Sequence, residues 1–132
     1  MKVLLDQLRP GLTVYVPGGA SEPLALHEAL RADPERAAGV HFVTVSIPGV
    51  NVFDYAALTP TTTLTTFMRL DAMRASHEAG RVRVPALGYS SIVDYLEQLP
   101  IDLAVLHVAP NGSFGLTADF GLIVAPRAGK RV

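Results

Sequence analysis

The sequence predicts an α/β domain with an open, mainly parallel β-sheet and helices on both faces. Apolar runs rich in β-formers alternate with helical patterns along the chain, as in βαβ units. One run, residues 101–108, is almost continuously apolar, which is typical of a strand covered on both faces. The 132 residues are 49% hydrophobic and only 17% charged, enough for one compact domain with a real core.

The first strand is predicted at residues 13–16, because Thr-Val-Tyr-Val is a short run of β-formers that follows a turn. It ends at Pro17-Gly18-Gly19, and a helix is predicted over residues 23–32. Proline suits the first turn of a helix, where its missing N–H would have no partner. Ser21 is the expected N-cap.

Two further strands are predicted at residues 40–45 and 63–68. We expect Asp71 to cap the next helix and Gly80 to end it, since glycine readily adopts the left-handed conformation of a C′ residue. Residues 81–85 then predict a short strand.

The last third of the chain repeats the alternation. Ser90 or Ser91 is expected to cap a helix, and residues 101–108 are expected to form a central parallel strand. A further helix is predicted after Asp119. Residues 127–132 resemble the approach to another strand that would begin at Val132, so we expect the natural domain to continue beyond them.

Composition argues against several classes of protein. The net charge is −1 and there is no basic stripe of the kind that replaces phosphate counterions, so we expect no nucleic-acid partner. Without cysteine, the chain has no disulfides and no thiolate nucleophile or ligand. The opening apolar run is broken at Asp6, too early for a signal peptide, and no run reaches the roughly 18 residues that span a bilayer. We therefore expect a cytoplasmic protein without a membrane partner.

The candidate binding site combines two loops that follow strands. In open α/β sheets, ligands gather at the carboxyl ends of strands, next to helix N-termini. Glycine lets the backbone approach a ligand closely, although a tight strand-to-helix turn needs glycine for its own geometry too. The Asn-Gly after Pro110 similarly fits either an interface-lining loop or an ordinary turn. The candidate substrate-binding residues are Gly18, Gly19, Ala20, Ser21, Pro110 and Asn111.

Catalytic and metal-binding alternatives are weaker. Ser21 lies in a near match to the G-x-S-x-G nucleophile elbow, but Pro23 replaces the last glycine. Glu22 is a candidate base or nucleophile, although a carboxylate before a helix often only complements its dipole. The four histidines show no metal-ligand spacing, so no metal site is predicted. His107, at the end of the predicted central strand, faces either the cleft or a structural partner.

The order and spacing of several segments resemble the N-terminal domain of the acetyl-CoA hydrolase/CoA-transferase family. The most specific is LPIDLAVLHVAP at residues 99–110, which is similar to a strand of that family. The strand, glycine-rich loop and helix of residues 8–23 resemble its opening unit. Residues 75–85, 89–95 and 115–117 are similar to later parts of the domain.

The resemblance implies a two-domain enzyme in which a glutamate of the second domain attacks an acyl-CoA and forms a glutamyl-CoA thioester. Residues 1–132 would then be the N-terminal domain, with no catalytic residue of its own and no tightly bound cofactor. Its glycine-rich loop would offer amide donors to an acyl oxygen. The implied partners are acyl-CoA, a small carboxylate, the second catalytic domain or subunit, and further copies in a homo-oligomer. The alternative is a non-catalytic binding or assembly module with the same fold.

Overall fold

The computed structural model describes residues 1–106 and 130–131 as a single β-sheet with its helices. Six strands form the sheet: β1 Thr13–Tyr15, β2 His41–Val43, β3 Thr63–Thr65, β4 Val82–Arg83, β5 Leu103–Ala104 and β6 Lys130–Arg131. The α-helices are α1 Lys2–Leu5, α2 Leu24–Ala32, α3 Arg74–Glu78 and α4 Tyr89–Gln98. Short 3-10 turns occupy Gly19–Ser21, Pro34–Ala37, Tyr55–Ala57 and Asp71–Met73.

The strands lie in the order β4-β3-β2-β1-β5-β6, and all neighbours are parallel. From β1 the chain winds outward through β2 and β3 to β4. It then returns through α4 to place β5 on the other side of β1. The winding direction therefore reverses between β1 and β5, which makes this the topological switch point of the sheet.

Both faces of the sheet are covered, as predicted. Alternate residues of a strand point to opposite faces, and the neighbouring strands β1 and β5 divide in this way between two clusters. Val14 and Leu103 pack in the cluster that contains the buried leucines of α2. Tyr15 and Ala104 pack in the second cluster, with Ile92 of α4. The predicted parallel α/β sheet with helices on both faces is confirmed.

The N-cap predicted for α2 is wrong. Ser21 lies in the 3-10 turn before the helix and is buried, while Pro23 occupies the N-cap position. The carbonyl of Pro23 accepts hydrogen bonds from the N–H groups of Leu26 and His27, so the first turn closes without a side-chain cap. The extra turn at residues 19–21 displaces the start of the helix beyond the reach of the serine.

The caps predicted for the later helices are also wrong. Asp71 begins a 3-10 turn whose N-cap is Leu70, and α3 starts only after that turn. Gly88 caps α4 in an extended conformation, so Ser90 and Ser91 lie inside the first turn of the helix, both exposed. In each case the helix begins at a backbone turn that the pattern of polar residues does not locate.

The remaining element predictions are confirmed with shorter bounds. Gly80 follows α3 with φ of +78°, the left-handed conformation expected after a helix. Among residues 101–106, the described part of the predicted strand 101–108, regular pairing is confined to Leu103–Ala104. The strand expected to begin at Val132 is an exception, because β6 lies at Lys130–Arg131, before that residue. The helix predicted after Asp119 lies outside the described residues. No helix in the part of the chain that the structure describes is long and apolar enough to cross a membrane.

Candidate functional site

A pocket of about 530 Å³ opens at the switch point, beside the carboxyl ends of β1 and β5. Its volume lies within the usual range for a small-molecule site, roughly 300–1,000 Å³. Nine of its ten lining residues have apolar side chains, and the tenth is a glutamate. The lining residues are Met1, Leu4, Ala20, Glu22, Pro23, Leu24, Ala25, Leu26, Val105 and Leu106.

The glycine loop, residues 18–21, leads from β1 to this pocket. Gly18 is buried against the extension of β2, and a Cβ atom at this position would overlap the carbonyl oxygen of Val45. Gly19 has φ of +58°, a conformation that favours glycine. The fold itself therefore requires the first glycine and favours the second, whether or not a ligand approaches them.

The buried side chain of Asn51 contacts the glycine loop. The Oδ1 atom of Asn51 accepts hydrogen bonds from the N–H groups of Gly19, at 2.9 Å, and Ile47, at 2.8 Å. Its Nδ2 atom donates to the carbonyl of Gly19 at 3.0 Å. Asn51 thus joins the loops that follow β1 and β2, and the N–H of Gly19 is engaged within the protein.

Replacing Asn51 by alanine is expected to lower the free energy of unfolding by about 2 kcal/mol. The change removes three hydrogen bonds and leaves backbone groups of Gly19 and Ile47 without their partner. Chemical denaturation followed by circular dichroism measures the loss. Asn111→Ala, a change of the same type outside the described residues, provides a comparison. A loss at Asn51 below about 0.5 kcal/mol would contradict this account of the loop.

The predicted binding residues are only partly brought together in the described structure. Ala20 is exposed and lines the pocket. Ser21 is buried, and its N–H donates to the carbonyl of Gly18. Pro110 and Asn111 lie outside the described residues. Of the amide donors expected in the loop, those of Gly19 and Ser21 are thus engaged within the protein.

Behind the pocket lies a buried cluster of polar and aromatic side chains. The Nε2 atom of His27 shares a hydrogen bond of 2.7 Å with the hydroxyl of Tyr55, and the imidazole stacks on Phe53 at 3.9 Å between ring centroids. The Oε1 atom of Glu22 lies 3.8 Å from the same nitrogen. The guanidinium of Arg31 lies over the ring of Phe53, 5.0 Å from its centroid.

Burial sets the protonation of this cluster. It lowers the pKa of His27 to about 4, with a further contribution from the positive charge of Arg31. It also raises the pKa of Tyr55 well above its ordinary value, and the Glu22 carboxylate adds to that shift. At neutral pH the imidazole and the phenol are therefore both uncharged, and the carboxylate of Glu22 has no charged partner in this cluster.

His27 lies on the helix predicted over residues 23–32, but its partners were not predicted. Phe53 and Tyr55 follow β2 by ten residues or more, in the segment between the second and third predicted strands. A tyrosine 28 positions from a histidine has no spacing rule that would join them. Only the packing of α2 on the sheet brings the two rings together.

Two of the described histidines, His27 and His41, share hydrogen bonds with hydroxyl groups. His41 lies in β2, and its two ring nitrogens share hydrogen bonds with the hydroxyls of Thr63 and Thr65, at 2.7 and 2.9 Å. Burial, and then the charge of Arg83, lowers the pKa of His41. Among residues 1–106 and 130–131, no three His, Asp or Glu side chains are placed to share a metal ion. His107 lies outside this part of the chain.

The chain matches no protein-family model and no curated protein. What the pocket and the glycine loop can bind therefore follows from their own residues, together with the motif resemblance of the sequence.

Proposed function

We propose that this chain is the N-terminal half of a CoA-transferase or acyl-CoA hydrolase and forms the acyl-side wall of its cleft. The observation that carries the proposal is the apolar pocket at the switch point, which the glycine loop borders. In open α/β sheets, this is where ligands bind. An aliphatic acyl group would lose contact with water against the pocket lining, which favours its binding.

The chemistry is assigned to the second half of the enzyme, as the motif resemblance implies. There a glutamate carboxylate would attack the thioester carbonyl of acyl-CoA and form an acyl anhydride with release of the CoA thiolate. The thiolate would then attack the glutamyl carbonyl to give glutamyl-CoA and the free carboxylate. A second carboxylate, or water in a hydrolase, would resolve the glutamyl-CoA.

The described residues support a binding role for this half. Ser21 is buried within the glycine loop, and the imidazole of His27 is engaged with Tyr55. The motif resemblance assigns the nucleophilic glutamate to the second half of the enzyme. The chain alone is therefore expected to leave acyl-CoA intact.

The intact mass of the natural gene product is the first test. We expect a mass well above that of 132 residues. The purified product should release CoA from acyl-CoA, and hydroxylamine should inactivate it only after acyl-CoA has been added, because hydroxylamine cleaves a glutamyl thioester. The 132-residue chain is the matched control, in which no CoA should be released.

Two outcomes would contradict the proposal. Turnover of acyl-CoA by the isolated chain, abolished by one substitution within it, would place the chemistry in this half. A natural product of the mass of this chain, with no partner subunit and no acyl-CoA activity, would instead support the non-catalytic binding module.

A further inference from the structure

Glu22 carries the one charged side chain that lines the switch-point pocket. Met1, another lining residue, adds the N-terminal ammonium group, which forms no ion pair with Glu22 among the described residues. Its side chain is only 16% exposed, and the other lining side chains are apolar. Removing a carboxylate from water is unfavourable unless a hydrogen-bond donor or a cation compensates it. A ligand that supplies such a donor or cation would therefore bind favourably to this carboxylate.

The protein supplies little compensation. The imidazole of His27 is the only ion-pair partner of Glu22 among the described residues, and the two atoms are 3.8 Å apart, beyond hydrogen-bonding distance. The same nitrogen of His27 is engaged with the hydroxyl of Tyr55 at 2.7 Å. Arg31, the nearby cation, lies over the ring of Phe53 instead.

The pocket walls define the rest of the ligand. Leu24 is 65% exposed and Met1 is 51% exposed, both on the pocket, so their apolar surface is in contact with water when the pocket is empty. Covering it with an aliphatic chain would be favourable, because it removes apolar surface from water. A negatively charged head group would instead be repelled by Glu22.

We propose that the switch-point pocket binds a small aliphatic amine, with its ammonium group on the Glu22 carboxylate and its alkyl chain against the apolar wall around Leu24. The pocket would select the ammonium group by its charge and the alkyl chain by apolar contact. This site does not depend on the proposed function, because the isolated chain carries every residue that it needs.

The alternative role of Glu22 is purely structural. It lies two residues before α2, where a negative charge is favoured by the positive end of the helix dipole. That role predicts a change in stability when the charge is removed, but no preference for any ligand. Measurements of binding therefore separate the two roles.

The test is calorimetric titration of the chain with n-hexylammonium, hexanoate and n-hexanol. We expect saturable binding of n-hexylammonium, with affinity at least about tenfold above that of hexanol, and no binding of hexanoate. Glu22→Gln should remove the preference for the amine over the alcohol. Glu28→Gln, which removes an exposed carboxylate from α2, should leave it unchanged. Ala25→Phe should block both n-hexylammonium and n-hexanol by filling the pocket, with circular dichroism to show that each variant is folded.

Three results would overturn the proposal. These are equal binding of amine and carboxylate, an amine preference that survives in folded Glu22→Gln, and the absence of saturable amine binding to the unmodified chain. If Glu22→Gln does not fold, Ala25→Phe decides, because retained amine binding in that variant would place the site elsewhere. None of these results bears on acyl-CoA turnover by the natural gene product, so the two proposals fail separately.

Discussion

Gly18→Ala is expected to lower the free energy of unfolding by about 3 kcal/mol or more, because the closest contact of an added Cβ among the described glycines occurs here. The new Cβ would overlap the carbonyl oxygen of Val45 and lie 2.7 Å from its carbonyl carbon. Both atoms are backbone, so neither moves without disturbing the extension of β2. Gly18 has φ of −113°, which alanine adopts readily, so the expected loss is steric and not conformational.

Gly88→Ala is the matched control. Gly88 also has negative φ, at −71°, but a Cβ there meets no atom within 4 Å. The expected loss is below about 1 kcal/mol, the usual cost of alanine at an N-cap. Urea denaturation of both variants measures the difference. Equal losses at the two positions would show that the approach of the glycine loop to Val45 does not constrain the fold.

The contrast between the two glycines shows what the sequence can and cannot predict. Pro17-Gly18-Gly19 predicts a turn after β1, because glycine is common where the backbone bends sharply. It does not predict that Gly18 faces Val45, since that contact depends on the pairing of β1 with β2. This pairing extends one residue beyond β1, because the N–H of Val16 donates to the carbonyl of Val43.

The fold class was predictable because it depends on a repeated pattern. The short runs of β-forming and apolar residues at β1 and β5, and the buried leucines of α2 four residues apart, are the patterns that strands and helices impose. Helix starts were less predictable. Ser21, Asp71 and Ser90 each have good capping chemistry, but Pro23, Leu70 and Gly88 begin the turns instead.

The position of the glycine loop after β1 was predictable, but its contacts were not. The glycine loop borders the pocket, as expected for the carboxyl end of a first parallel strand. Asn51 was not predicted, because a polar residue in a loop has many equivalent explanations until the loop that it contacts is known. Tyr55 was missed for the same reason, since its contact with His27 forms only in the tertiary structure.

Lowering the pH from 6.5 to 4 is expected to reduce the free energy of unfolding by about 3 kcal/mol through His27 alone. The side chain is 3% exposed, and burial lowers its pKa from 6.5 to about 4 in the folded protein. Below pH 6.5 the unfolded chain takes up a proton at this residue while the folded chain does not. Stability therefore falls as pH decreases through this window and is fully present above it.

Urea denaturation at a series of pH values measures the slope, and His27→Gln removes the titrating group while keeping a side chain that can hydrogen-bond to Tyr55. The variant should be less stable at pH 7, because glutamine stacks poorly on Phe53. Its loss of stability between pH 6.5 and 4 should be smaller than that of the unmodified chain by about the same 3 kcal/mol. His41 titrates in the same direction, so part of the slope should persist in His27→Gln and decrease further in the double variant with His41→Gln. An unchanged slope in His27→Gln would mean that His27 is not held neutral by burial in the folded protein.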